Sequence, residues 1–243
     1  METKITHEID LTEGYTDLKG VVQKHVVFGR SVSAKRLLAL RVDKQSSVQT
    51  QYQDLLLAET IVEFGSTPMP VPLTTLLALD LNDRDELREG RDEFRKKVTG
   101  DRQVEIRENG ATLLWGFKFG ESRYPIVEFG TRLTGKDEVE ADKLGLTETL
   151  ARRAFLAGRM VTKISNAEGA EIPGPVEFEK INSDDVDEDD LWGLVVSADL
   201  WRLSFRARGR SVPKVGAGKD GVAAGDEDKL AGGSAAADAQ GAA

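Results

Sequence analysis

The sequence predicts an α+β fold in which a small antiparallel sheet or hairpin is followed by two or three helices, and it predicts this arrangement twice. Three observations support this fold class. Apolar and polar residues alternate near the start of the chain, apolar residues recur at helical spacing further on, and similar blocks return about 100 residues later. We therefore expect a first repeat unit at residues 1–99, a second at 100–208, and a tail at 209–243.

Each unit begins with sequence typical of β-strands. Residues 4–11 alternate between apolar and polar side chains, and residues 103–107 are the expected counterpart. Glu13-Gly14 and Asn109-Gly110 follow these segments and predict tight hairpin turns, because glycine and asparagine tolerate a positive φ. The next strands are rich in β-branched and aromatic residues and are predicted at 21–28, 115–119 and 126–129.

The apolar spacing becomes helical after the predicted sheet. Over residues 50–64 it predicts one helix that ends at Gly65. The counterpart in the second unit begins at Thr147, a residue type that caps helices well. Proline-containing loops at 68–72 and 173–175 then interrupt the chain, and last helices are predicted at 83–98 and 188–205.

Four blocks in the same order support a tandem duplication. The offset rises from 96 residues in the first match to 101 in the second, as a short insertion near residues 120–123 would produce. Colinear blocks of this kind predict two related units, and they leave open whether the units share one core. The blocks that begin at Gly14, Val26, Leu56 and Leu79 match those that begin at Gly110, Val127, Phe155 and Ile181.

The composition excludes several classes of function. The chain has 33 Lys and Arg against 42 Asp and Glu, a net charge of -9, which disfavours general binding to nucleic acid. It has no cysteine, which excludes disulfides, thiolate metal sites and a cysteine nucleophile. No segment approaches the roughly 20 apolar residues that span a bilayer, and residues 1–10 lack the apolar core of an export signal. We expect a cytoplasmic protein without a membrane or nucleic-acid partner.

Patterns for catalysis and cofactors are missing. His7 and His25 fall on predicted strands, where a position at the sheet surface is expected, and two histidines are too few for a His-rich metal site. Residues 216–221 resemble a phosphate-binding loop, but Asp220 follows the lysine where serine or threonine is required. We predict no catalytic, cofactor-binding or metal-binding residues, and therefore no enzyme.

The acidic run at residues 184–190 is the densest charge cluster. It does not fit a calcium loop that begins at Asp185, because Asp190 stands where that loop requires glycine. Carboxylates in a first helical turn stabilise its exposed amides and the positive end of the helix dipole. We expect these side chains to cap the last helix, with weak binding of a divalent ion as the alternative.

Two groups of residues suggest contact with a partner without defining a surface. Trp115, Trp192 and Trp201 all lie in the second unit; core packing is expected for each, and a protein-binding face is the alternative. A basic end to the last helix favours its negative dipole end, with a contact to an acidic partner or RNA as the alternative. The arginines of this basic end are Arg202, Arg206, Arg208 and Arg210.

Residues 209–243 are rich in glycine and alanine, which predicts a flexible tail.

Several of these features occur together in a known order. A short strand leads to a hairpin, residues 127–137 read Val-x-Phe-Gly-x-x-Leu-Thr-Gly-Lys-Asp, and a helix, a proline loop and a last helix follow; residues 79–87 show the matching helix start in the first unit. This pattern resembles the tail assembly chaperones of tailed bacteriophages, over residues 3–208 and once per unit. Members of that family are usually a single unit, whereas this chain has two.

The resemblance implies a non-enzymatic, helix-rich protein of the host cytoplasm. Such a protein binds the tape measure protein and assists the tail tube protein in polymerising around it, and a flexible C-terminal extension is common in the family. A homo-oligomer is compatible with this role. The alternative is a structural virion component, such as a head–tail connector or a baseplate protein. An enzyme that uses carboxylates is a third class, for which the sequence offers no suitably spaced pair.

Overall fold

The computed structural model describes residues 5–17, 19–42, 49–147 and 149–208. In this part of the chain, two antiparallel sheets and eight helices form an α+β fold, which confirms the predicted fold class. The tail at 209–243, for which flexibility is predicted, lies outside the described residues.

The first half builds a sheet of three strands. Its elements are β1 (His7–Thr16), β2 (Val22–Phe28), α1 (Ala34–Val42), α2 (Gln49–Thr60), β3 (Ile61–Phe64), α3 (Leu73–Leu77) and α4 (Leu81–Thr99). The strand order is β1-β2-β3, with both pairs antiparallel, so β1 and β3 are the edges of this sheet. The long helix α4 packs against β1 and β2.

The second half builds a sheet of five strands. Its elements are β4 (Glu105–Arg107), β5 (Gly110–Phe119), β6 (Ser122–Phe129), α5 (Gly135–Lys143), α6 (Thr149–Met160), β7 (Val161–Ser165), β8 (Glu171–Pro173), α7 (Phe178–Ile181) and α8 (Glu188–Arg208). The strand order is β4-β5-β6-β7-β8, all antiparallel. The last helix, α8, packs against β5 as α4 packs against β1.

Three features occur at matching places in the two halves. The pairing of β1 with β2 is interrupted between Asp10 and Tyr15, and that of β5 with β6 between Thr112 and Phe117. The next strand pair shifts register just before Phe28 in the first half and Phe129 in the second. Cis peptide bonds precede a proline of each proline loop. The order of elements is the same apart from β4 and β8, and a duplication as the cause stays a prediction.

A buried carboxylate from the last helix of each half holds each interrupted strand. Asp83 on α4 accepts the backbone N–H of Glu13 at 3.0 Å and of Gly14 at 2.7 Å. Asp190 on α8 accepts the N–H groups of the β5 segment that ends at Gly116, at 2.6, 3.1 and 2.8 Å. Gly14 and Gly116 both have a positive φ, of 82° and 69°, which lets the strand bend towards the carboxylate.

These contacts correct the predicted match of the block that begins at Gly14 with the block that begins at Gly110. Gly14 lies at a bulge inside β1 instead of at a hairpin turn, and its structural counterpart is Gly116. Gly110 begins β5 after the two-residue turn between β4 and β5, so the hairpin predicted from Asn109 and Gly110 is confirmed. A glycine between polar residues is typical of both a turn and a bulge, and the sequence alone did not distinguish them.

The predicted helix at 50–64 is too long. The helix ends at Thr60, and Ile61–Phe64 continues as β3, which pairs with β2. The same change occurs in the second half, where α6 ends at Met160 and β7 follows directly. Isoleucine, valine and phenylalanine also favour strands, and pairing with the neighbouring strand decides between the two.

The largest apolar cluster contains residues from both halves. Val32, Leu37 and Tyr52 of the first half lie in one cluster with Val127 and Trp201 of the second. A second cluster lies within the first half and is built around Phe28, Phe64 and Phe94. Residues Met1–Gly209 form one compact unit, and the division into two repeat units at residue 99 stays a prediction from the sequence.

Asp190→Asn should lower the free energy of unfolding by about 2–3 kcal/mol, because hydrogen bonds to a charged group contribute roughly that much and an amide offers only one oxygen. Asp83→Asn should cost less, since Asp83 accepts two N–H groups and Asp190 three. Urea unfolding followed by circular dichroism measures both changes.

The matched control is Asp85→Asn on α4, because the Asp85 side chain is 67% exposed and forms a surface ion pair with Arg88. Its effect should stay below about 0.5 kcal/mol. Equal unfolding free energies for Asp190→Asn and Asp85→Asn would show that the carboxylate does not hold the bulge.

Candidate functional site

The acidic run at 184–190 does more than cap α8. The predicted cap is present, because Asp187 accepts the N–H of Asp189 at 3.0 Å. Asp184, however, accepts hydrogen bonds from Ser33 and Lys35 of the first half, both at 3.0 Å. The first acid of the run therefore binds the segment that leads into α1.

The middle of the run forms ion pairs with α4. Arg91 lies 2.5 Å from Glu188, and both side chains are less than a tenth exposed. Arg95 contacts Glu188 at 3.2 Å and also pairs with Asp189. Removing one partner of a buried pair typically costs about 3–5 kcal/mol, because the other charge is then left buried and unpaired. Arg91 and Arg95 stand four residues apart on one side of α4, and this spacing was the signal for the contact.

Backbone hydrogen bonds join the same two segments. The N–H of Ala34 donates to the carbonyl of Val186 at 2.7 Å, and the N–H of Glu188 donates to the carbonyl of Val32 at 3.0 Å. Ser33 and Asp187 lie opposite each other in this bridge. The loop before α1 and the start of α8 are thus held as a short antiparallel pair.

Asp187 is one of three acids in this run whose pKa is raised, together with Glu188 and Asp190. Burial raises its pKa to about 7, the N–H of Asp189 opposes the change, and the carboxylates of Asp189, Glu188 and Asp190 add to it. Burial also raises the pKa of Glu188, against the opposing effect of Arg91 and Arg95. Asp187 therefore carries a proton at pH values where an exposed aspartate is ionised.

A groove of about 390 Å³ lies beside the N-terminal part of α8, between this helix and β4. One wall is α8, the other is β4 with the segment that precedes it, and β5 closes the base. Apolar side chains dominate the lining, and Arg102 and Asp189 are its charged members. The lining residues are Thr99, Arg102, Gln103, Val104, Ile106, Leu114, Asp189, Trp192, Gly193 and Val196.

Gly193 lets the two walls of the groove approach each other. A Cβ atom at this position would lie 2.5 Å from Cγ1 of Val104, closer than side chains allow. On the opposite wall, the guanidinium of Arg102 stacks over the ring of Trp115 at 3.7 Å. Ile106 on β4 is half exposed at the mouth.

The outer side of α8 continues this apolar surface. Trp192, Val196, Leu200 and Leu203 fall within one stripe of about 80° at 100° per residue. Val196, Leu200 and Leu203 are 37%, 47% and 52% exposed. The opposite side of α8 is buried through residues such as Leu191, Leu194, Val195, Ala198 and Trp201. We call Trp192, Val196, Leu200 and Leu203 the α8 stripe.

The matching positions on α4 are charged. Asp83 and Asp190 make the same contact in their halves, so Trp192, Val196, Leu200 and Leu203 correspond to positions two, six, ten and thirteen residues after Asp83. Those positions are Asp85, Glu89, Glu93 and Lys96. Two helices packed in the same way on their sheets therefore present opposite chemistry to the outside.

The three tryptophans have different positions. Trp201 is 5% exposed and packs against Phe129 with ring centroids 5.9 Å apart, as core packing predicts. Trp115 is half-buried under Arg102. Trp192 is also half-buried; it packs against the largest apolar cluster and lines the groove.

One of the two histidines does not lie at the exposed sheet surface that the sequence predicts. His25 is half exposed at the sheet surface, beside Asp10 at 3.1 Å, as predicted. His7 is instead nearly buried between β1 and α4, with Lys97 2.7 Å from Nδ1 and Glu93 3.0 Å from Nε2. The prediction for His7 is wrong because α4 lies over this face of the sheet, and a single strand sequence does not indicate which face a helix covers.

Arg202 is the described member of the basic end of α8. It lines a second hollow of about 240 Å³ together with Leu203 and the ion pair of Arg153 with Asp199. The side chains of Arg206 and Arg208, and Arg210, lie outside the described part, as does the glycine-rich segment at 216–221.

In the described part of the chain, no group of three or more His, Asp or Glu side chains is placed to hold a metal ion. None of the described helices combines the length and the apolar character needed to cross a bilayer. No protein-family model, curated protein or solved structure matches this chain. The groove and the α8 stripe are therefore interpreted from their own chemistry.

The groove was not predicted from the sequence. Its signal was present in the exposed side of α8, where valine and leucine stand at positions that carry acids and lysine in α4. A helix that is apolar on all sides usually has contacts on all sides. This comparison requires the correct match between the two helices, which the contacts of Asp83 and Asp190 supply.

Asp187→Asn should make the protein more stable, by an amount that grows with pH. The folded-state pKa of Asp187 is about 7, above the usual 3.8, so its contribution to stability is complete below about pH 4 and is lost as the pH rises through 7. Asparagine caps helices as well as aspartate and does not ionise. The advantage of the variant in urea unfolding should increase between pH 4 and pH 7 and then level off. A constant difference between variant and wild type across this range would contradict the raised pKa.

Proposed function

We propose that this protein is a non-enzymatic assembly chaperone of bacteriophage tails that binds the tape measure protein and assists polymerisation of the tail tube. Two observations support the proposal. The order of sequence features resembles that family, and the apolar surface of α8 offers a place for a partner. The site of action is the host cytoplasm, where tails assemble.

The observation that carries the proposal is the α8 stripe beside the groove. A surface helix normally turns polar residues outward, as α4 does, because exposed apolar area is unfavourable in water. Here Val196, Leu200 and Leu203 are more than a third exposed along one line. Contiguous apolar surface with a polar rim is typical of protein–protein contact sites.

The shape of this surface favours a helical partner. A groove between two walls, extended by a stripe of side chains four or three residues apart, accepts the apolar side of an amphipathic helix. Trp192 on the α8 wall supplies a large, rigid contact, the kind of residue that contributes most at interfaces. A long tape measure protein would supply such helical segments.

The structural virion protein is the second candidate, and the same groove would then be filled by a neighbouring subunit in the particle. Mass spectrometry of purified virions separates the two functions. An assembly chaperone is expected to be absent from mature particles or far below the copy number of the tail tube protein, and a structural component is retained in a fixed ratio to it.

Val196→Glu should reduce recovery of the tape measure protein at least tenfold when the two proteins are co-expressed and the complex is purified, because a charge would be buried in the contact. Val139→Glu is the matched control, since Val139 is 51% exposed on α5, away from the groove. It should leave the complex intact. Both variants should keep the wild-type circular dichroism spectrum and unfolding midpoint.

Three outcomes would count against the proposal. The tape measure protein could stay soluble and assemble normally without this protein. Both variants could bind it equally well. The protein alone could form an oligomer in light scattering that Val196→Glu dissociates, which would assign the groove to a second copy of this chain.

A further inference from the structure

The outer edge of β1 differs from the matching edge in the second half. In the five-stranded sheet, β5 is an inner strand because β4 pairs with its outer side. In the three-stranded sheet, β1 is an edge, and none of the described residues pairs with its outer side. The first half thus lacks, in the described part of the chain, the strand that covers this position in the second half.

The register identifies which residues of β1 are concerned. His7 pairs with Phe28, and Asn109 accepts the N–H of Phe129 at 2.8 Å, so His7 and Asn109 match. Glu8, Ile9 and Asp10 then stand where Gly110, Ala111 and Thr112 pair with β4. In an antiparallel sheet successive residues bond to opposite sides, so Glu8 and Asp10 direct their N–H and C=O groups outward.

The open edge is short. Beyond Asp10, the N–H groups of Thr12, Glu13 and Gly14 are bonded to Glu86 and Asp83 of α4. The free stretch therefore has the length of β4, which pairs through three residues. A partner strand of this kind would need only a short extended segment.

Exposed acids lie along this edge, and a lysine lies near each end of it, since Lys97 contacts His7 and Lys24 contacts the carbonyl of Thr12. The side chains of Glu8 and Asp10 are 63% and 78% exposed. On the side of the sheet covered by α4, Glu89 and Glu93 stand at the positions that Val196 and Leu200 occupy in α8. Two β1 strands paired about Ile9 would place Glu8 opposite Asp10 of the other copy, which disfavours self-association.

We propose that the β1 edge at Glu8–Asp10 binds an extended, basic segment of another protein as an added antiparallel strand. The backbone supplies the affinity, as in other cases of strand addition, and the acids supply the preference for lysine and arginine. β4 on β5 is the internal template for the geometry. This site is separate from the groove of α8, and its existence does not depend on the proposed function.

The first test uses hydrogen exchange of the full chain without any ligand. The amides of Glu8 and Asp10 should exchange at least tenfold faster than those of Gly110 and Thr112, which bond to β4, while Ile9, which bonds to β2, stays protected. Equal protection of the two pairs would show that the chain covers its own edge. Protection of Glu8 and Asp10 that rises with protein concentration would assign the edge to a second copy. Either result would overturn the proposal.

The second test uses the capped peptide Gln-Val-Lys-Lys-Arg-Glu, which is residues 103–108 of this chain with lysine in place of Glu105 and Ile106. Titration followed by amide NMR should shift Glu8 and Asp10 most and slow their exchange at least tenfold at saturation. N-methylation of the arginine or the first lysine, which bond to β1, should weaken binding at least tenfold. N-methylation of the second lysine, which points away, should change it less than twofold.

Charge reversal tests the contribution of the acids. The double variant Glu8→Lys with Asp10→Lys should weaken peptide binding at least tenfold, while Glu168→Lys with Glu179→Lys, two exposed acids elsewhere, should change it less than twofold. Equal loss from both double variants, or from all N-methylated peptides, would mean general attraction between charges and would overturn strand addition. No binding of the unmodified peptide would overturn it as well.

Discussion

A bulge in a β-strand leaves backbone N–H groups without a strand partner, and in this protein one buried carboxylate satisfies them in each half. Asp83 and Asp190 are fully buried, and each accepts N–H groups of the bulge beside a glycine with positive φ. A buried N–H without an acceptor costs about 1–3 kcal/mol, so the bulge and the aspartate depend on each other. Because the aspartate lies in the first turn or so of a long helix, the contact also fixes the height and rotation of that helix on its sheet.

The fixed rotation determines which side chains each helix exposes to solvent. With Asp190 held at β5, Leu194 and Trp201 must face the core, and Val196 and Leu200 must face outward. The same rotation in α4 turns Glu89 and Glu93 outward. The difference between an apolar and an acidic surface therefore lies in the residues and not in the packing of the two helices. β4 adds a second difference, since it covers the edge of β5 and forms one wall of the groove.

The sequence was sufficient for the fold class and for most elements, because alternating and helical spacings reflect burial on one side, which holds in this structure. The sequence did not give the correct local structure where the same residues favour two alternatives. Gly14 suits a turn or a bulge, and Ile61 to Phe64 suit a helix end or a strand; pairing with distant residues decides both cases. The acidic run was assigned to capping, with weak binding of a divalent ion as the alternative, because its actual partners Lys35, Arg91 and Arg95 are far away in sequence. The groove could not be predicted for the same reason, because it is formed by β4 and a helix that follows about 80 residues later.

The distribution of charge follows from these contacts. Although the run at 184–190 is the densest group of acids, Asp184, Glu188 and Asp189 are paired with lysine or arginine of the first half. Its field outside the protein is accordingly weaker than its composition suggests. Glu8, Asp10 and Glu89 are exposed acids of the first half that have no lysine or arginine partner of this kind within the described part of the chain. Residues 1–99 carry 14 Lys and Arg against 16 Asp and Glu, and residues 100–208 carry 15 against 21, so most of the net charge of -9 belongs to the second half. The acids at β1 and the α8 stripe are therefore local features that the net charge of each half does not indicate. The two proposed sites differ in chemistry: the groove with the α8 stripe would bind a segment through burial of apolar area, and β1 would bind one through backbone pairing beside acidic residues.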